Sequence, residues 1–140
     1  MQPVSVRFKN ERVYERLREA ANASGQSVSA LAEQMLDEAL RQRDHPLIVF
    51  RDGPTGRRAA LVVGPDVWEV VGGIVGGDVP EDQRVTRTAE LMALPVPYVE
   101  AALRYYADFA DEVDARIAAN DEAAEREYER WKKQQALLGS

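Results

Sequence analysis

The chain has 140 residues, of which 45% are hydrophobic and 30% are charged, as in folded proteins of one ordinary or two small domains. It has no cysteine, which excludes disulfides, thiolate metal sites and a cysteine nucleophile. The formal net charge of −6 argues against general nucleic-acid binding. Residues 1–18, however, carry five cations and two anions, whereas residues 47–111 carry six cations and ten anions. A basic leading edge on an acidic body is still able to bind DNA locally.

The first predicted element is a short strand in the sequence VSVRFK, where apolar and polar residues alternate. Its apolar face consists of Val4, Val6 and Phe8. Its polar, partly cationic face consists of Ser5, Arg7 and Lys9. No second strand follows nearby, so the partner of this strand has to be found elsewhere.

Two amphipathic helices are predicted after the strand. Asn10 can cap the first helix by accepting a hydrogen bond from a backbone N–H group, and Gly25 suits the left-handed position that ends it. Ser27 is a good N-cap for the second helix. The second helix carries a wide apolar stripe made of Val28, Leu31, Ala32, Met35, Leu36, Ala39 and Leu40.

Residues 1–44 form a unit too small to bury this stripe alone, because chains below roughly 40–50 residues usually need oligomerisation or a staple. The strand also needs a hydrogen-bonding partner. Two copies meet both demands if their strands pair antiparallel and their four helices interlock beneath. The shared core would then contain Val4, Val6, Phe8, Leu31 and Met35. The outward strand residues would project from a two-stranded ribbon, whose width fits the major groove of DNA. The alternative is an edge strand with solvated charges, docked on the rest of the chain.

Residues 3–43 resemble the ribbon-helix-helix family, the Arc and MetJ type of repressor. The resemblance is carried by VSVRF, by the helix spacing, by the Gly25 turn and by SVSALAEQML. It implies that the outward strand residues Ser5 and Arg7 contact base edges, with Lys9 at the end of the DNA-binding strand. It also implies a phosphate bound by backbone N–H groups at the start of the second helix, around Ser27, Val28 and Ser29, where the dipole favours an anion. Since Arg7 is the one strong base-contacting cation on the ribbon, affinity is expected to depend on phosphate contacts.

The charged sequence RQRDHP at residues 41–46 predicts a linker and a domain boundary. After it, LIVFRDGPTGRRAALVV predicts a hairpin, with the turn at Asp52, Gly53, Pro54 and Gly56. The sequence GPTGRR lacks the Lys-Ser/Thr pair of a phosphate loop. Asp66 is predicted to cap a helix carrying Val67, Val70 and Val71, which GGIVGGD ends.

Residues 80–107 contain two short predicted helices separated by ALPVP, an arrangement that resembles a helix-turn-helix. Pro97 suits the first turn of the second helix. That helix contacts either DNA or protein. Arg104 is its one cation and the surrounding segment is acidic, which favours a structural or partner-binding role.

Residues 111–140 predict a helical tail rich in alanine, glutamate and arginine. Its apolar residues follow a heptad-like spacing at Val113, Ile117, Ala124, Tyr128, Trp131 and Leu138. A stripe this thin does not fold unaided, so the tail either binds a partner or docks on its own body.

The sequence contains no recognisable catalytic set. His45, the only histidine, lies before a proline without a cysteine or a visible carboxylate pair, so no metal site is predicted. The serines show no nucleophile elbow. The acidic cluster of Asp108, Asp111, Glu112 and Asp114 lacks the spacing of a calcium loop. Helix capping by Asp111 explains it better. A non-enzyme without cofactors is expected, and the absence of a signal segment in MQPVSVRF predicts a cytoplasmic protein.

The whole chain is thus predicted to be mainly α (α+β), with domains at residues 1–44, 45–110 and a tail at 111–140. The stretches IVFRDGPTGRRAALVVGPDVWEVV and LPVPYVEAALRYYADFADEVDARI resemble a small domain of unknown function in VapB-type antitoxins, over residues 46–120.

This resemblance to type II toxin-antitoxin antitoxins implies a PIN-type ribonuclease toxin as partner and repression of the chain's own operon. A PIN-type nuclease has a carboxylate-lined mouth, for which the tail offers Arg126, Tyr128, Arg130 and Trp131. One alternative is a stand-alone ribbon-helix-helix transcriptional repressor with a ligand-sensing or assembly domain. Another is a partition-type DNA scaffolding protein.

Overall fold

The computed structural model describes residues 1–139, which are mainly helical with one small antiparallel sheet, as the sequence predicts. In chain order the elements are α1 (Glu11–Ser24), α2 (Val28–Asp44), β1 (Ile48–Arg51), β2 (Arg58–Leu61), α3 (Val67–Gly72), α4 (Glu81–Met92), α5 (Val96–Asp108) and α6 (Ala110–Leu138). The chain divides into two compact units, one from Met1 to Asp44 and one from His45 onward. Among the described residues, no helix combines the length and apolarity that crossing a membrane requires.

The helix ends of the first unit have the predicted caps. The side chain of Asn10 accepts a hydrogen bond of 3.0 Å from the N–H of Arg12 at the start of α1. Gly25 ends α1 with a φ of 70°, which is accessible to glycine without the steric cost of a Cβ. The hydroxyl of Ser27 accepts a hydrogen bond of 3.1 Å from the N–H of Ala30 in α2. These local signals therefore predict both helix boundaries correctly.

The N-terminal segment differs from the prediction. Residues 1–10 have no regular secondary structure and are all exposed. A strand needs a neighbouring strand for its N–H and C=O groups, and the single chain supplies none. The strand at residues 4–9 is therefore wrong for the single chain, and so is the alternative of a docked edge strand. Pairing with a second chain stays a prediction.

The predicted linker at residues 41–46 is also wrong in large part. Arg41 to Asp44 form the last turn of α2, where the guanidinium of Arg41 contacts the carboxylate of Asp37 at 3.1 Å. His45 is buried, with 7% of its surface exposed. Charged residues four apart on a helix support each other, so this charge run continues the helix instead of forming a spacer.

The second unit has its own hydrophobic core, with α5 at its centre. Val99, Ala102 and Tyr105 of α5 are completely buried. The hairpin pairs Ile48 with Leu61 and Arg51 with Arg58. The other buried members of the core are Ile48, Leu61, Val67, Val70, Ala89 and Val113. Because α5 packs on α3, α4 and α6 as well as on the hairpin, this unit depends on one central helix.

The hairpin turn forms where predicted. Gly53 and Gly56 donate backbone hydrogen bonds to each other's carbonyl groups at 3.1 and 3.0 Å. Gly56 has a φ of 103°, which a residue with a Cβ adopts only under strain. Pro97 lies in the first turn of α5, as its fixed φ favours. The turn before α5 starts at Ala93, whose φ of 53° is left-handed.

Two predicted caps are wrong in their chemistry. Asp66 is the N-cap residue of α3, but its side chain makes no capping hydrogen bond. It accepts a hydrogen bond of 3.1 Å from the indole of Trp68 and forms an ion pair with Arg58. The N-cap of α6 is Phe109, while Asp111 lies in the first turn. An acidic residue there still interacts favourably with the helix dipole.

Candidate functional site

The first unit has an open apolar groove of about 1450 Å³. The N-terminal segment, α1 and α2 all contribute apolar side chains to it. Its lining includes Val6, Phe8, Val13, Leu17, Met35 and Leu36. Leaving the apolar side chains of such a groove in water is energetically unfavourable, and an exposed apolar groove commonly marks an interaction site.

The predicted dimer-core residues divide into two groups. Leu31 is 5% exposed and is therefore buried within its own chain, whereas Met35 is 47% exposed. Val4, Val6 and Phe8 are also exposed. Phe8 is the least exposed of the three, and its ring lies 5.6 Å from the ring of Tyr14, which holds the end of the segment against α1. Four of the five predicted core residues thus lack cover in the single chain.

The predicted DNA-binding residues are exposed but are not assembled into a ribbon by the single chain. Ser5, Arg7 and Lys9 all lie on the unpaired segment. Neither cation forms a hydrogen bond or ion pair within residues 1–139. At the start of α2, the Ser27 hydroxyl is already used as a cap. An anion there would depend on the N–H groups of Val28 and Ser29, which have no intrahelical acceptor, as in any first helical turn.

The helix-turn-helix-like pair forms as predicted, with α4 and α5 joined by a short turn. The inner face of α5 is used by the core of its own unit. Its outer face exposes Glu100, Arg104 and Asp108, two acids and one cation. This mixed charge suits a structural role for α5, and contact with DNA or protein stays a prediction.

The tail helix α6 docks only at its start. Val113 is buried and Ile117 packs against the core of the second unit. Every residue from Ala118 to Gly139 is exposed. The self-docking alternative therefore explains the first two turns and leaves the rest of the predicted stripe uncovered.

An aromatic pair lies on the exposed part of α6. The rings of Tyr128 and Trp131 are stacked, with centroids 5.9 Å apart and planes 20° apart. The ammonium group of Lys132 lies 5.1 Å from the centre of the Tyr128 ring. Tyr128 is 55% exposed and Trp131 is 52% exposed. Large aromatic side chains that are half exposed on one helix face are typical anchors for a partner.

The predicted partner-binding cations do not share the aromatic face. At 3.6 residues per turn, Arg126 lies about 140° around the helix from Trp131, and Arg130 lies about 100° away. Arg126 and Arg130 both line one shallow charged surface, together with Glu122 and Lys133. Arg130 also contacts Glu127 at 2.7 Å. The four predicted contacts are therefore two aromatic anchors on one face of α6 and two cations, one turn apart, on the other side of the helix.

His45 has a carboxylate partner that the sequence analysis missed. Its Nε2 atom lies 2.8 Å from Oδ2 of Asp108, at the end of α5. Its ring packs edge-on against Tyr105 and Phe109, with centroids 5.3 and 6.0 Å away. The two partners are 63 positions apart, so no local pattern signals the contact. This buried histidine fixes the beginning of the second unit to the α5–α6 corner.

The acidic cluster mainly accepts hydrogen bonds from the tyrosines of α5. The Tyr105 hydroxyl donates to Glu112 at 2.7 Å, and the Tyr106 hydroxyl donates to Asp114 at 2.9 Å. The hydrogen bond to Asp114 and the negative charge of that carboxylate raise the pKa of Tyr106 above its usual value of 10.0. Within residues 1–139, no three or more His, Asp and Glu side chains are grouped as metal ligands would be.

Arg116 of α6 holds the tip of the hairpin. Its guanidinium donates to the carbonyl and hydroxyl oxygens of Thr55 at 2.9 and 2.8 Å, and to the carbonyl of Arg57 at 3.1 Å. These contacts join residues about sixty positions apart, so no local sequence pattern predicts them.

We expect Arg116→Ala to lower the free energy of unfolding of the second unit by about 1–2 kcal/mol, since three charge-assisted hydrogen bonds at a partly exposed site are lost. Urea denaturation followed by circular dichroism measures this change. Arg126→Ala on the exposed part of the same helix is the matched control and should change stability little. Equal stability of the two variants would show that the hydrogen bonds of Arg116 to the hairpin tip contribute nothing measurable to the free energy of unfolding.

Comparisons with known proteins give no match, since no family model, no curated protein and no solved structure is significantly similar to the chain. The geometry and charge of the two units are therefore the basis for proposing a function.

Proposed function

We propose that the chain is a dimeric DNA-binding protein of the ribbon-helix-helix type. The observation that carries this proposal is the open apolar groove of the first unit, bordered by an unpaired segment in which apolar and cationic residues alternate. A unit with Ala21 and Leu31 as its buried apolar residues has too small a core to be stable alone. A second copy covers the groove and supplies the missing strand at the same time.

In the proposed dimer, residues 4–9 of two chains pair antiparallel, with Val4, Val6 and Phe8 directed into the shared core. The alternation of a strand then directs the cationic residues to the opposite side. A two-stranded ribbon fits the major groove, where the guanidinium of Arg7 can donate two hydrogen bonds to a guanine. Lys9 and the start of α2 bind phosphates. This local positive surface operates despite the net charge of −6.

We further propose that this DNA-binding protein is the antitoxin of a PIN-type ribonuclease and represses its own operon. The support is the exposed part of α6, which carries a stacked aromatic pair with Lys132 beside it and has Arg126, Arg130 and Lys133 on its other side. An acidic, carboxylate-lined mouth is complementary to these cations, while the aromatic rings provide the buried area. Tyr128 and Trp131 anchor the tail in this proposal. Arg130 is better placed than Arg126 to approach the carboxylates, because it lies closer to Trp131 around the helix.

The DNA-binding part of the proposal predicts different effects for the two ribbon cations. Arg7→Ala should relax specificity at one or two base pairs, since a bidentate contact to guanine is worth ~1–3 kcal/mol of discrimination. Lys9→Ala should weaken binding to all sequences about equally and reduce the salt dependence, as expected for a lost phosphate contact. Gel-shift titrations on the DNA upstream of the chain's own gene, at two salt concentrations, measure both effects.

The matched control for these variants is Arg104→Ala on the outer face of α5, which should leave DNA binding unchanged. If Arg7→Ala and Lys9→Ala both bind with the affinity of the original chain while folded, the ribbon does not contact DNA. If Arg104→Ala is the damaging variant instead, the DNA-binding surface is on α5.

A further inference from the structure

The exposed part of α6 has an apolar stripe that continues the face by which the helix docks on its own unit. At 3.6 residues per turn, the docked and exposed apolar residues fall within an arc of about 80°. They are Val113, Ile117, Ala124, Tyr128, Trp131 and Leu138. The exposed portion is about 30 Å long. A face of one continuous helix that is covered at one end and bare at the other needs an occupant for the bare part.

The charges along the bare part are separated by sign. Residues 118–125 carry three acids, Asp121, Glu122 and Glu125, and no cation. Residues 130–138 carry three cations, Arg130, Lys132 and Lys133, and no acid. Between them, residues 126–129 carry both signs. Such a helix is self-complementary when it meets a second copy running in the opposite direction, and self-repelling when the copies run parallel.

Side-chain size favours the same antiparallel arrangement. If the twofold axis of the helix pair passes between Glu127 and Tyr128, the acidic segment of each copy lies beside the cationic segment of the other. The same axis places the small Ala124 opposite the bulky Trp131. Interfaces between helices favour such alternation of small and large side chains because it lets them interdigitate.

We propose that the exposed part of α6 pairs antiparallel with the same part of α6 in a second copy of the chain. The ion pairs already present do not oppose this. Arg130 with Glu127 and Lys132 with Glu129 are exposed pairs within one helix, and such pairs contribute little stability. The proposal stands on the charge pattern and does not depend on the antitoxin function. Where a toxin also binds this face, the toxin and the second copy compete for it.

The absence of cysteine from the chain permits a clean test by disulfide cross-linking of the full-length protein. In the proposed pair, Asn120 of one copy lies opposite Gln135 of the other. An Asn120→Cys chain mixed with a Gln135→Cys chain should therefore form a cross-linked dimer under mild oxidation. Each variant alone should form far less, because two copies of either position lie about 20 Å apart along the antiparallel axis, beyond disulfide reach.

Charge reversal provides the second arm of the test. Asp121, Glu125 and Lys132 lie on one flank of the apolar stripe, where the acids of one copy meet the lysine of the other. Adding Lys132→Glu to both cysteine chains should therefore reduce the cross-link, and so should adding Asp121→Lys and Glu125→Lys to both. Placing Lys132→Glu on one chain and Asp121→Lys with Glu125→Lys on the other should restore the cross-link, because opposite charges then face each other again. Cross-linking of either single-cysteine chain alone, at the level of the mixture, would indicate a parallel pair and overturn the proposal. A mixture that gives no cross-link above the single chains would overturn it as well.

Discussion

Replacing Leu31 by alanine is expected to unfold the first unit and to abolish dimerisation through that unit in the same step. Leu31 is 5% exposed and is one of two buried apolar residues between Met1 and Asp44. A buried leucine-to-alanine change typically costs about 2–5 kcal/mol, through lost burial and the cavity left behind. The small core gives the first unit too little stability to tolerate this loss of unfolding free energy. In the proposed obligate dimer, the separated monomer is also not stably folded.

Sedimentation and circular dichroism measure this outcome on a chain that ends at Asn120 and so lacks the exposed part of α6 through which two copies are also proposed to pair. In that background the Leu31→Ala protein should sediment as a monomer and lose the helical signal of α1 and α2, while the second unit stays folded. Leu91→Ala is the matched control, because Leu91 is 75% exposed in the second unit. A Leu31→Ala chain that is monomeric and still fully helical would show that the first unit folds without a partner.

If the proposed antitoxin function is right, deleting residues 121–140 should abolish neutralisation of the proposed nuclease toxin while leaving DNA binding intact. The deletion begins after Val113 and Ile117, the residues that attach α6 to its unit. The described residues that it removes, 121–139, are all exposed. The fold of the second unit should therefore survive. The loss of Tyr128 and Trp131 removes the aromatic anchors that are expected to dominate the interface.

Two single substitutions refine this experiment. Trp131→Ala should weaken the toxin complex by ~2 kcal/mol or more if the indole is a binding hot spot. Glu122→Ala, on the opposite side of the same helix, should weaken it little. Toxin affinity and residual ribonuclease activity are the measurements. If the truncated chain binds and inhibits the nuclease as well as the full chain does, the tail is not the toxin-binding segment. Residues 45–110 then become the candidate binding surface.

Local signals in the sequence are sufficient to predict many of the elements. Asn10, Gly25 and Ser27 mark helix ends because capping depends on residues within one turn. The Gly53–Gly56 turn is predictable for the same reason, since its geometry depends on glycine. The heptad-like spacing of the tail predicts a helix, and the structure adds that its stripe is covered only at the beginning.

The contacts that fix the second unit are not local, and the sequence does not reveal them. His45 and Asp108 meet across 63 positions, and Arg116 reaches Thr55 across 61. Asp66 looks like a cap, yet its carboxylate pairs with Arg58, because Asp66 forms a bridge with Ala60 that places it beside β2. It also accepts a hydrogen bond from Trp68, two residues along the chain. The strand at residues 4–9 is a different case. Its alternation is real, but a strand forms only where a second strand is present.

The most direct test of the account is to co-express the chain with the product of the adjacent gene and to purify the mixture through one tag. The account predicts that a small nuclease with a carboxylate-lined site co-purifies, is inactive in the complex, and leaves the complex able to bind DNA upstream of the chain's gene. Purification of the chain alone, as a dimer that binds this DNA without any nuclease, would contradict the antitoxin function and support a stand-alone repressor.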